Sequence, residues 1–299
     1  MDMKGITIAV SKGIIDSFKG MIAIFYLDKE INKRAQTRHN KQKHEESKVV
    51  HNVIQCALLN GGVFLLSVLL FEYVLLPSID AIFRTMFGAE SFVTNVVWSW
   101  VKFFILKIYQ TAWLVPLFLL SKVINALWFQ DIADSAYRYS RGRPVSFSSI
   151  SMFFADSIFS IVVQCLFLIQ ATLTSYIPIY PLGYMLYTVQ VALLYSLYSF
   201  EYKWCNMGWE LHKRLSFIEE NWPYFIGFGL PLAIFTNIWD SWVIGGCVFS
   251  ILFPLFIISG NEASPVMGAS EYHLQMFSLV IAVANTLFSR TIGQAVAVH

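Results

Sequence analysis

Charge is scarce in this chain of 299 residues: only 13% of them are Asp, Glu, Lys or Arg, about half the share of an ordinary soluble domain. Eleven of those 40 charges fall between Asp28 and Lys48. The remainder is too sparsely charged to coat soluble domains. Cysteine is scarce too. Cys56, Cys165, Cys205 and Cys247 are far apart, with no CxxC pair and no histidine at zinc-ligand spacing, which excludes a disulfide framework and a zinc ribbon. The sequence has no HExxH, P-loop, GxGxxG at a strand-to-helix turn or GxSxG, the patterns that carry the common hydrolytic and nucleotide chemistries. No enzymatic function, cofactor or metal is expected. There is also no Asn-x-Ser/Thr sequon.

What the chain has is apolar surface: 57% hydrophobic and 16% aromatic residues, with nine tryptophans. A disordered chain lacks apolar area to bury, so this composition excludes disorder and points to an all-α polytopic membrane bundle. Val53 to Leu76 carries one charge, Glu72, in 24 residues; as a helix it extends about 36 Å, enough for a hydrocarbon core of about 30 Å. Phe103 to Trp128, with Lys107 and Lys122 near its ends and Pro116 inside, is a second run. Ile150 to Ile177 and Leu182 to Phe200 form a helical hairpin across Pro178 to Pro181. Trp222 to Trp239 and Ser241 to Ser259 are either two spans or two half-penetrating helices. Together these give about six spans. Leu274 to Ser289 is short of the roughly 20 residues a span requires.

Positive loop charge orients spans toward the cytosol. Segments 28–52 (seven Lys and Arg), 130–149 (Arg138, Arg141, Arg143) and 201–221 (Lys203, Lys213, Arg214) alternate with connections poor in Lys and Arg, which predicts a cytosolic N-terminus. The basic block suits this topology signal better than binding to a specific nucleic acid. The expected organisation is a cytosolic amphipathic helix and basic segment over 1–52, a membrane domain over 53–289 and a short tail over 290–299.

Residues 6, 10, 14, 18, 22 and 25 are apolar at helical spacing, as in a helix lying on a bilayer, with Phe18 and Ile22 as candidate anchors into lipid. In 201–221, one continuous helix would align Trp204, Leu211, Leu215 and Ile218 in a stripe among charges. Trp204, Trp209, Lys213 and Arg214 are the candidate partner-binding surface, packing against the bundle being the plainer role for such a stripe. Amides within the runs (Gln55, Asn60, Asn125, Gln164, Gln170, Gln190) read as interhelical joints, since lipid offers them no other partner. Glu72, Lys107, Lys122 and Asp156 read as interfacial anchors near the ends of their runs. Phe129-Gln130-Asp131-Ile132 has the aromatic-x-x-aliphatic spacing of motifs that ubiquitin-like autophagy proteins bind by strand addition, although four-residue matches arise often by chance.

Longer strings carry a resemblance. Asn60-Gly-Gly-Val-Phe64, Trp98-Ser-Trp100, LVPLFLLSKVINALWFQDIAD (114–134), LLYSLYSFEYKW (193–204), RLSFIEENWPYFIGFGLPLA (214–233) and FSILFPLFIISGNEA (249–263) resemble the etoposide-induced protein 2.4 family. That resemblance implies a multi-pass endoplasmic-reticulum membrane protein required for autophagy, acting when isolation membranes mature into autophagosomes. It also implies links to growth control, apoptosis and importin-type receptors. The broader superfamily includes the CysZ sulfate permeases, whose folds mix full spans with half-penetrating helices. The expected function is a non-enzymatic scaffold or membrane-remodelling factor whose partners are membrane lipid and unidentified autophagy proteins. An anion or lipid-headgroup transporter and an importin-binding regulator using the basic 29–43 segment are the alternatives.

Overall fold

The computed structural model describes residues 3–25, 49–88, 91–140, 150–239 and 241–297. Nearly all of the basic 28–52 segment, together with Arg141, Arg143 and Asp240, lies outside the described residues.

Every element among the described residues is helical. Helix α1 is Met3–Ser17, and helical turns continue to residue 25 after a break at Phe18. Two long helices follow, α2 (Val49–Phe87) and α3 (Trp98–Arg138), then α4 (Ile150–Ser175) and α5 (Leu182–Asn206). A short α6 (Leu211–Glu220) leads to α7 (Trp222–Asn237), α8 (Trp242–Glu262) and the C-terminal α9 (Ser278–Ala297). Helices α2, α3, α8 and residues 155–175 of α4 are long and apolar enough to cross a membrane. With 16 residues, α7 extends about 24 Å and falls short of the core alone.

The core lies where α5, α7 and α8 meet, filled by Leu193, Leu197, Phe200, Phe225, Phe228 and Phe256, all buried. Offset and edge-on rings dominate it: Phe200 meets Phe225 at 5.2 Å and Phe228 at 4.8 Å, both edge-on. Such pairs add to the area they bury. Glycines bring backbones together here. A Cβ on Gly229 would collide with the carbonyl of Ala192 on α5, and one on Gly227 with the backbone of Val10.

The position of α1 corrects the expectation of a surface helix. Apart from Asp16, its buried residues are small: Ala9, Gly13, Ser17, then Gly20 and Ala23. This small-residue ridge lets α1 press on α7, where Gly13 abuts Tyr224, Gly227 and Phe228, while Gly20 abuts Leu255 and Ser259 of α8. Close backbone approach at small residues is how membrane helices associate without a hydrophobic drive between them. Residues 3–25 are therefore packed into the membrane domain rather than standing apart from it. Phe18 is half-buried and Ile22 exposed, so they do not form one lipid-facing anchor; the large apolar residues facing outward are Met3, Ile8, Ile15, Ile22 and Phe25.

Candidate functional site: a polar joint at one end of the bundle

Residues 134–140, 156–164, 201–214 and 260–263 come together at one end of the bundle, where many of their polar groups pair with one another, although Asn261 Oδ1 and Glu262 Oε1 are buried without a hydrogen-bond partner. In α4, Asp156, Ser160 and Gln164 recur every fourth residue and share a face. Opposite them stands Glu201 of α5. Its Oε1 accepts from Ser160 Oγ at 2.5 Å, and its Oε2 from Gln164 Nε2 at 2.7 Å.

Arg214 of α6 enters between these two carboxylates. Its Nη2 donates to Asp156 Oδ2 at 2.6 Å, Nη1 to Glu201 Oε1 at 3.3 Å, and Nε to the Trp209 carbonyl at 2.8 Å. All three guanidinium nitrogens are engaged, and the side chain is 1% exposed. The second oxygen of Asp156 accepts the Leu211 N–H at 2.9 Å, so one carboxylate both pairs Arg214 and satisfies the open amide at the start of α6. Buried charges persist when they are paired and hydrogen-bonded, and this cluster meets that condition.

Neighbouring joints extend the pattern. Lys203 Nζ donates to the Gly260 and Ala263 carbonyls, each at 2.9 Å, placing a cation at the negative C-terminal end of α8. Asn206 Nδ2 donates to Asp134 Oδ1 at 2.9 Å, and Asn261 Nδ2 to the Ala136 carbonyl at 2.8 Å. Glu219 Oε1 accepts the Phe277 N–H at 2.8 Å at the foot of α9. Burial pushes the Glu219 carboxyl above the usual carboxylate range, while that amide, His212 and His273 pull it down.

Deeper in the bundle, Asn60 of α2 and Asn125 of α3 exchange amide hydrogen bonds at 2.9 and 3.0 Å. Gln170 Nε2 donates to Gln190 Oε1 at 3.1 Å. On α1, Asp16 is 1% exposed, accepts the Tyr224 hydroxyl proton at 2.8 Å and pairs with Lys19 at 2.7 Å. The expectation that amides inside the runs hold helices together is met by Asn60, Asn125, Gln164, Gln170 and Gln190.

The sequence-predicted partner surface divides. The continuous helix expected over 201–221 is interrupted at Met207–Glu210, where Gly208 has φ of 71°, the left-handed conformation that favours glycine after a helix. Trp204 is buried between Phe200, Trp209 and Phe225, and Arg214 is the centre of the joint. Neither is available to a partner, which corrects the proposed surface. Trp209 is half-buried, and Lys213 stays exposed with its amine 4.3 Å from the centre of the Trp209 ring. The Phe129-Gln130-Asp131-Ile132 motif is corrected as well: Phe129 and Ile132 are both buried, so its two anchors cannot enter a partner's pockets.

Sequence reasoning treated Asp156 as an interfacial anchor and missed that it and Glu201 both pair with Arg214. The fourfold spacing of Asp156, Ser160 and Gln164 is the signal that a polar partner faces that stripe. Among the described residues, no group of three or more His, Cys, Asp and Glu is placed to hold a metal.

Comparison with known proteins gives a consistent assignment. The family model described as "Sulfate transporter CysZ/Etoposide-induced protein 2.4" matches residues 44–239. Ectopic P granules protein 4 of Caenorhabditis elegans is 31% identical over 183 residues, which cover 61% of this chain and 57% of that protein. The Protein EI24 homolog of Arabidopsis thaliana is 28% identical over 241 residues, covering 71% of this chain and 74% of its own length. The homolog of the same name from Dictyostelium discoideum is 30% identical over 217 residues, covering 72% and 66% respectively. The chain thus spans little more than half the length of the Caenorhabditis relative. No solved structure matches it significantly.

Proposed function

The chain belongs to the CysZ/etoposide-induced protein 2.4 family of helical membrane proteins, and from that premise we propose that it is an endoplasmic-reticulum protein of autophagy. In this reading it is a non-enzymatic scaffold that supports maturation of autophagosomes, with its N-terminus and the polar joint facing the cytosol. The observation that carries the scaffold part is the pairing of polar groups between helices. Arg214 is bound by Asp156 and Glu201, and Asn60 exchanges hydrogen bonds with Asn125, the use expected of structural joints in a bundle that holds its shape. Endoplasmic-reticulum placement and autophagy follow the family resemblance. Membrane lipid, autophagy proteins and importin-type receptors are the partners it suggests; the basic segment that would bind importins lies outside the described residues.

The experiment is removal of the chain from cells, followed by imaging of autophagosome intermediates and rescue with the intact chain. Stalled isolation membranes that resolve on rescue are expected; normal autophagic flux without the chain would end the autophagy reading. The family's description as a sulfate transporter favours a second reading, in which the fold passes anions, and flux into liposomes separates the two.

A further inference from the structure

Helices α2 and α3 are too long for the membrane they cross. With 39 and 41 residues they extend roughly 58 and 61 Å, against a hydrocarbon core of about 30 Å. Tilt alone would have to reach about 59°, beyond the 0–40° that spans adopt. About 20 residues from the polar end, counted from His51 on α2 and from Asp131 on α3, the core is already crossed. At that height α3 is π-helical over Gln110–Leu114, and α2, already π-helical over Leu58–Leu65, is so again over Phe71–Leu75. The two helices touch here: the Phe71 and Tyr109 rings stack with centroids 3.6 Å apart, and Trp113 Nε1 donates to Ser67 Oγ at 3.3 Å. Insertions of this kind are where helices kink.

Beyond these π turns, residues 76–88 and 91–109 form an arm in which the Phe83 and Trp98 rings meet with centroids 5.0 Å apart. Its outer side is apolar. On α3, Trp100 (61% exposed), Phe103 (49%), Phe104 (57%) and Ile108 (65%) fall on one face, at spacings of three, one and four. Patches of this kind do not stay in water. The stripe is continuous with the exposed apolar surface of the span itself, Val115, Leu119, Leu120, Val123 and Leu127. Its polar member suits a bilayer interface: Lys107, seven residues on from Trp100 and so on the same face, holds its amine 5.9 Å from the Phe103 ring. Tryptophan and snorkelling lysine concentrate at headgroup depth.

We propose that the arm of residues 76–88 and 91–109 is a lipid-binding element, which bends at these π turns and lays Trp100, Phe103, Phe104 and Ile108 into the bilayer interface away from the Arg214 joint. The proposal rests on the geometry of this hairpin and is independent of the autophagy reading.

The test uses the full chain with its four cysteines changed to alanine, reconstituted in phosphatidylcholine vesicles, with single nitroxide labels at each position from 99 to 108. Oxygen collisions should peak at 100, 104 and 108, and a water-soluble nickel chelate should be excluded there. At position 102, on the opposite side of the helix, the preference should reverse, giving a several-fold swing in the oxygen-to-nickel ratio. Nickel access at all ten positions would overturn the proposal by placing the arm in water. Exclusion of both reagents, with dipolar coupling between labels on two copies, would overturn it in favour of a protein cover. Labelled chains that elute unlike wild type are discarded, and the remaining positions carry the periodicity.

Discussion

Arg214 and Lys213 are adjacent in sequence and opposite in role. Arg214 is sealed between Asp156 and Glu201, so Arg214→Ala leaves two carboxylates facing each other and should destabilise the folded chain by about 3 kcal/mol or more. Lys213 is exposed over Trp209, and Lys213→Ala should cost less than about 1 kcal/mol. Thermal unfolding of the two variants in detergent checks this: a clear loss of transition temperature for the first and little change for the second. Glu219 supplies a pH dependence. Its raised carboxyl means that its ionised form is disfavoured in the folded chain. Its contribution to stability is therefore fully present below the unfolded value of about 4.3 and is lost as pH rises through the raised value. Glu219→Gln should flatten the stability profile across that window. In the sequence, Lys213 and Arg214 look alike, two basic residues on a charged segment. What distinguishes them is the pairing of Arg214 with Asp156, 58 positions earlier, and Glu201, 13 earlier, and no local pattern points to either.

Among the elements, α1 shows most clearly what a hydropathy pattern misses. Its large apolar residues at 6, 10, 14, 18, 22 and 25 describe a membrane-surface helix, whereas its docking is governed by Ala9, Gly13, Ser17, Gly20 and Ala23. Those residues were legible as a small-residue ridge at spacings of three and four, but small side chains carry little weight in a hydrophobic count. Gly13→Val places a side chain against the Tyr224 carbonyl and should undock α1. Limited trypsin digestion would then cut rapidly at Lys12 and Lys19 in the variant and slowly in the wild type. Helices α2 and α3 offer a complementary test. Changing Asn60 or Asn125 singly to Leu strands one buried amide, whereas changing both removes donor and acceptor together. Each single variant should lose about 1 kcal/mol, and the double variant less than the sum of the two.

At the scale of the whole molecule, the helical class, the membrane location and the long runs were open to inspection, because the length of an uncharged run and the thickness of a bilayer are directly comparable. The family strings were legible for the same reason: they are long and include polar residues. The paired arrangement of those polar residues was not legible, since which amide or carboxylate faces which is decided by helix rotation and crossing. That arrangement underlies the central claim, that the ionisable groups serve as joints of a scaffold. Uptake of radiolabelled sulfate by liposomes containing the purified chain is the most direct measurement. The scaffold account predicts a rate equal to that of protein-free liposomes, and saturable uptake above that background would contradict it.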